Sequence, residues 1–418
     1  MNIFKQVALS LFPLSFFGSQ PGPTPSHPSQ YNASFIGYQS HARAALATLQ
    51  AWYNPSTGLW ETTGWWNSAN CLTAMADLAA IDPNVASLAK DIFETTLVQA
   101  PQNTLEMVKL MENYLEVSHY SNLYPFLPKT VPRPPPIHPS SFLNEYYDDE
   151  GWWALAWIRV YDITHDKKYL SVAATIFEDM LDGYTSPCGG IWWRKSKDYV
   201  GAIENELFLS VAAHLANRTP DGTKRAFYLS WALRQWEWFQ MTGMINSENL
   251  IHNGLDTKVC REKNITQSDN GTVWTYNQGV ILGGLLELTR AVGDESMLRA
   301  AESIASAAIT HLTDVNGILH EFCEPNYCHG DGSQFKGIFL RNLGKLQIVL
   351  QRPDFSTFIK KNAQSIWNND RGVGSNLGLV WSGPFLGADA STQSSALDAL
   401  VAAAVVISRE SLAQGIFR

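Results

Sequence analysis

The feature that most constrains this chain is a strict alternation of two kinds of helix-period segment, punctuated by glycine turns and with little strand-like alternation. Six segments, at 65–79, 149–162, 202–216, 276–292, 335–350 and 393–408, are apolar or small on every face. Between them lie six amphipathic ones, at 34–53, 84–99, 167–184, 222–243, 295–312 and 354–368, whose polar faces carry residues such as Lys167, Lys168, Glu178 and Asp179. A helix that is apolar all round has to be enclosed by protein, whereas one polar face suits the surface. Six enclosed and six surface helices predict an all-α (α/α)6 toroid of six helical hairpins. The repeat of roughly 60 residues is longer than that of the common helical solenoids. Four turns support the count: Gly58-Leu59-Trp60, Gly190-Ile191-Trp192, Gly317-Ile318-Leu319 and Gly378-Leu379-Val380-Trp381, each after an outer and before an inner segment. Two stretches fall outside the repeat. Residues 103–118 are expected to form an extra helix, and the proline-rich 129–139 an extended loop.

The ends predict export. Lys5 followed by the apolar stretch from Val7 to Phe17 has the form of a secretory signal, assigned to residues 1–19. The Pro/Ser-rich residues 20–30 are expected to be a disordered linker, leaving 31–418 as the (α/α)6 catalytic domain. Sequons at Asn32, Asn217, Asn264 and Asn270 fit secretion. Of the five cysteines, Cys71 falls inside an apolar helix and is expected to be free and buried. Cys188, Cys260, Cys323 and Cys328 then allow three pairings. The apolar run 396–407 is too short to span a bilayer and lacks a glycolipid-anchor tail, so no membrane anchor is expected in the mature chain.

In such a toroid the inner helices run parallel and their N-termini meet at one mouth. The residues there are Trp65, Trp66 and Asn67; Asp148 and Asp149; Glu204, Asn205 and Glu206; Tyr276, Asn277 and Gln278; and Gln334 and Lys336. Capping accounts for acids and amides at helix starts. It does not call for Trp, Tyr and Glu on the same ring, so a functional cleft is expected here. The densest part is Tyr146-Tyr147-Asp148-Asp149-Glu150-Gly151-Trp152-Trp153, three acids between aromatic pairs. Carboxylates for nucleophile and proton chemistry beside flat rings are what a sugar-cleaving site uses.

Side chains at adjacent positions of a first turn favour the closer carboxyl spacing of retaining glycosidases, about 5–5.5 Å. Asp148 is assigned as nucleophile and Asp149 as acid/base. Sugar contacts are expected from Trp65, Trp66, Asn67, Tyr147, Trp152, Glu204, Asn205, Glu206, Trp274, Tyr276, Asn277, Gln278 and Lys336. With 30 basic against 39 acidic residues the net charge is −9, and no basic patch occurs, so no nucleic-acid partner is expected. The ten histidines lack ligand spacing and His329-Gly330-Asp331-Gly332 has the form of a surface loop; no metal and no cofactor are expected.

With these motifs in place, the chain resembles glycoside hydrolase family 76, the endo-α-1,6-mannanases of bacteria and fungi. Asp148-Asp149-Glu150-Gly151-Trp152-Trp153-Ala154-Leu155-Ala156-Trp157 is similar to the family's central motif. Trp274-Thr275-Tyr276-Asn277-Gln278-Gly279-Val280, Phe335-Lys336-Gly337-Ile338-Phe339-Leu340-Arg341-Asn342 and Glu204-Asn205-Glu206 resemble further family blocks, and the likeness runs from about Tyr31 to the C-terminus. The resemblance implies a retaining mechanism with Asp148 as nucleophile and Asp149 as acid/base. It also implies a substrate, the α-1,6-mannan backbone or a mannose-containing cell-wall glycan. From the signal and sequons the protein is expected to be secreted, extracellular or wall-associated, and a monomer is expected. Two alternatives stand beside hydrolysis: a wall glycan transglycosylase acting on mannose-containing glycan anchors, and a non-catalytic sugar-binding wall protein.

Overall fold

The computed structural model describes residues 30–103, 107–112, 115–120, 142–262, 272–325 and 328–413. The expected signal, the linker up to residue 29, the stretch 129–139 and the sequons at Asn264 and Asn270 lie outside the described residues. Inner helices are α2 (Trp65–Ala79), α4 (Tyr147–Thr164), α6 (Ile203–Arg218), α8 (Thr275–Val292), α11 (Phe335–Leu350) and α13 (Ala390–Ala413). Outer helices are α1 (Gln30–Gln50), α3 (Pro83–Gln99), α5 (Lys167–Asp182), α7 (Gly222–Met241), α9 (Glu295–His311) and α12 (Pro353–Asn369); α10 (His329–Gly332) is a single turn.

The inner helices close a ring: α2 packs on α4, α4 on α6, α6 on α8, α8 on α11, α11 on α13, and α13 back on α2. This is the (α/α)6 toroid. Every residue of α2 is buried, as its uniformly apolar and small composition requires. Five hairpins are formed by consecutive inner and outer helices. The sixth joins the ends of the fold, where α1 packs on α13 and Gln393 Nε2 donates to Ala45 O at 3.0 Å. The run 396–407 is thus the buried middle of α13, and among the described residues no helix is long and apolar enough to cross a membrane.

The expected extra helix at 103–118 is not formed. In its place β1 (Met107–Glu112) pairs antiparallel with β2 (Leu115–Tyr120), in the register Met107 to Tyr120 and Glu112 to Leu115. Leu115-Glu116-Val117-Ser118 alternates apolar and polar every second residue, a strand period that the Met and Leu content had masked. Strand β2 lies against α10. The disulfides are Cys188–Cys260 and Cys323–Cys328, with Cys71 free and buried.

Four of the loops that enter inner helices share a bracket. The backbone N–H of Ile191, Ile251 and Leu377 donates to Asn205 Oδ1, Gln278 Oε1 and Gln393 Oε1, at 2.9, 2.9 and 2.8 Å. Trp60 N does the same to Ser68 Oγ at 3.2 Å. Each acceptor stands in the first turns of the inner helix that follows, so the helix start fixes the loop leading into it. Gly190 shows why glycine recurs here: its φ is 70°, and a Cβ would stand 2.5 Å from both Asn205 Oδ1 and the Trp238 ring.

Candidate active site

Residues one apart on a helix point about 100° apart, so each first turn at the mouth divides its side chains between the ring's interior and its wall. The interior set forms a floor. Trp66 stacks on Trp152 with ring centroids 5.4 Å apart, and Trp152 on Tyr276 at 6.5 Å. Tyr276 stacks on Phe335 at 3.8 Å, and Phe335 returns to Trp66 at 6.4 Å. Four aromatics from α2, α4, α8 and α11 thus close a circle at the N-terminal end of the ring. Trp66 Nε1 also donates to Asp331 Oδ1 at 2.9 Å, so α10, expected to be a surface loop, brings a buried carboxylate to the floor.

Asp148, one helical turn before Trp152, and Asp149 beside it are both buried. Asp148 Oδ2 accepts from Trp193 Nε1 at 3.0 Å, and Asp149 Oδ2 accepts from Asn144 Nδ2 at 2.7 Å. These donors come from outside α4, whose N-cap is Tyr146. The third acid of the run has a scaffold role. Glu150 Oε1 accepts from Asn144 N at 2.8 Å and pairs with Lys195 Nζ at 2.9 Å, while Asn144 Oδ1 accepts from Tyr146 N at 2.8 Å. Asn144 therefore ties the loop before α4 to both Asp149 and Glu150.

Glu206 lies on the α6 face that continues to Ser210 and His214 along the ring's interior. It is fully buried, and neither carboxyl oxygen has a hydrogen-bond partner among the described residues. Burial, reinforced by the charge of Glu204, pushes its pKa well above the usual carboxylate range. Glu204 accepts from Gly201 N and from Asn205 Nδ2. Asn277 is buried; its Nδ2 donates to Asn253 Oδ1 at 3.3 Å, and its Oδ1 has no partner among the described residues. Trp274, the N-cap of α8, stands at the rim against Phe335.

Six residues expected to touch sugar are placed in the wall instead. Trp65 packs on Phe142 and Trp153 and donates to Ala100 O. Asn67 is locked to Gln334, and Tyr147 lies against Gly183 beneath Lys195. Asn205 and Gln278 are the loop brackets described above. Lys336 is fully buried: its Nζ reaches Glu324 Oε1 at 2.5 Å and Leu379 O at 2.7 Å, over the face of Trp381. In each case the side chain points away from the interior face of its helix, a direction set by the 100° step. Conversely, Asn144, Trp193, Asp331 and Phe335 were missed. Phe335 carried a usable signal, since it opens an inner helix as Tyr276 nearly does. The others sit in loops without periodicity.

The family model of glycosyl hydrolase family 76 matches residues 38–414. The chain belongs to this family. It is 26% identical over 231 residues to mannan endo-1,6-alpha-mannosidase DCW1 of Candida albicans, covering 50% of this chain and 49% of that one. To the DCW1 enzyme of Saccharomyces cerevisiae it is 30% identical over 221 residues, or 48% and 46%. It spans about half the length of these curated relatives. Among solved structures, an inactive variant of the alpha-1,6-mannanase GH76A of Salegentibacter in complex with alpha-1,6-mannotetrose shares the fold. The TM-score is 0.69 at 22% identity, covering 88% of this chain and 99% of that one. Dfg5 from Chaetomium thermophilum in complex with glucosamine shares it too, at TM-score 0.68 and 15% identity, covering 88% and 90%.

Proposed function

We propose that this family 76 chain is a secreted, retaining endo-glycosidase that hydrolyses α-1,6-mannosidic bonds in mannan backbones. The observation that carries the proposal is the buried pair Asp148 and Asp149, held by Trp193 and Asn144 above an aromatic floor. The printed relatives point the same way: the bacterial mannanase is inactive when two consecutive aspartates are replaced, and in that form it holds an α-1,6-linked tetramer.

In the reaction, Asp148 attacks the anomeric carbon while Asp149 donates its proton to the departing glycosidic oxygen. This yields a covalent glycosyl-enzyme and releases one half of the chain. Asp149, now ionised, takes a proton from water, whose oxygen displaces Asp148 and restores both acids. The indole N–H of Trp193 donates to Asp148 Oδ2 and fixes the orientation of the attacking carboxyl group. Glu206, kept protonated by burial, is a hydrogen-bond donor and acceptor for a sugar hydroxyl, and Asn277 Oδ1 is an acceptor. Trp66, Trp152, Tyr276 and Phe335 offer apolar faces to the pyranose rings.

The test is to incubate the protein with unbranched α-1,6-mannan and follow the products, beside an Asp148→Asn, Asp149→Asn variant. Short oligomannosides from the wild type alone are the expected outcome. Longer products on adding an acceptor would reassign the chain as a transglycosylase. Sugar binding without turnover would make it a binding protein.

A further inference from the structure

Phe322 is 53% exposed, on the loop between α9 and α11 that leads into the mouth. Its ring lies 4.4 Å from that of Trp274, and Trp274 meets Phe335 edge to face at 5.3 Å. A row of touching rings therefore runs from the exposed Phe322, through the buried Trp274 and Phe335, to the floor beneath Asp148. Single exposed apolar side chains are ordinary on protein surfaces. Phe322 differs in that its loop is anchored on both sides while the ring is left outside. The preceding residue, Glu321, is buried and accepts from both the backbone N–H and the hydroxyl of Thr275, which directly follows Trp274. The following residue, Cys323, is bonded to Cys328, and Glu324 holds Lys336. The backbone carrying the ring is thus fixed relative to Trp274 before any ligand arrives, so little order is lost on stacking.

We infer that Phe322, backed by the buried Trp274, forms an additional sugar subsite at the rim, where a pyranose remote from the scissile bond stacks on the exposed Phe322 ring. This rests on the proposed action on α-1,6-mannan and adds a determinant of chain length to it. Two ring-to-ring steps separate Phe322 from the floor, so only a longer oligosaccharide reaches it. Short substrates occupy the floor alone. The subsite contributes binding rather than chemistry, and its effect falls on KM.

The experiment measures kcat and KM for linear α-1,6-mannooligosaccharides of two to six residues with the wild type, Phe322→Ala and Phe322→Tyr. Phe322→Ala is expected to raise KM about tenfold for the longest substrates, with kcat and the shorter substrates unchanged. Phe322→Tyr, which keeps the ring face, is expected to follow the wild type. Identical length profiles for wild type and Phe322→Ala would overturn the subsite while leaving the mannanase function standing. An equal loss at every length would also overturn it, marking Phe322 as packing for Trp274. A wild type that cleaves none of the series would instead remove the mannanase function, and the subsite with it.

Discussion

At the end of the ring away from the mouth, outer helices α3, α5, α7 and α9 begin with Asp82, Asp166, Asp221 and Asp294, each accepting from a backbone N–H of its own first turn. The inner helices finish there among cations with partners: Arg159 on Asp77 at 2.5 Å, Arg218 on Asp162 at 2.6 Å and Glu287 at 3.0 Å, and Arg341 on Asp398 at 3.0 Å. These pairs line a cavity of about 700 Å³. At the mouth, α2, α4, α6, α8 and α11 begin with Gly64, Tyr146, Ala202, Trp274 and Gln334 as N-caps, none of which bonds its helix through its side chain. Helix dipoles attract acids to one end and cations to the other, and both ends obey this. What differs is completion. The far end pairs its charges within itself and serves stability, whereas the mouth holds Glu206 and Asn277 with oxygens lacking partners among the described residues, as a ligand site requires.

Substitution at the two ends should therefore separate activity from stability. The largest effect is expected for Asp148→Asn: turnover lost by roughly a thousandfold or more, with urea unfolding little changed. At the far end, Arg218→Met leaves Asp162 without its cation and Glu287 with Arg290 in place of two. It should lower unfolding free energy by about 3 kcal/mol with kcat of the folded fraction retained. A variant that lost kcat but not stability would dissolve the contrast between the ends. Lys336 sharpens it, because it sits at the mouth yet is paired like a far-end group. Lys336→Met should cost about 2–3 kcal/mol by taking the buried cation from Glu324, which keeps only His320 and the Glu321 N–H. If Lys336 bound sugar, KM would instead rise with stability intact.

The toroid was legible because enclosure leaves a mark on every turn of a helix: α2 and α11 occupy the residues expected from composition alone. The position of Asp148 was legible for the same reason, since it opens an inner helix. Which first-turn residues face inward was not. Asn205 and Glu206 are neighbours of similar polarity, and only packing against Ile191 on one side and the ring's interior on the other separates a bracket from a candidate ligand. Asp331 and Trp193 depend on how loops of irregular length return to the floor, which no local period encodes. The hairpin β1–β2 escaped because its strands are short and rich in Met and Leu, which serve helices equally well.

The smallest effect probes whether incompleteness at the mouth extends beyond the floor. Asp370 ends α12 beside Gly378. It is fully buried, and its carboxyl oxygens have no hydrogen-bond partner among the described residues. Burial pushes its pKa up to about 8, with Glu324 adding to the shift and Lys336 opposing it. An unfolded aspartate titrates near 4, so between about pH 4 and 8 the native state holds a proton that the unfolded chain has released. Stability from this group is full below that window and falls as pH rises through it. Asp370→Asn carries no titratable proton and removes that slope, while Glu321, raised to about 8 by burial, titrates in both proteins and cancels from the difference. Urea unfolding should find the variant gaining on the wild type by on the order of 2 kcal/mol between pH 6.5 and pH 8.5. A difference independent of pH would mean that Asp370 is ionised throughout and paired with Lys336, making this corner of the mouth as complete as the far end.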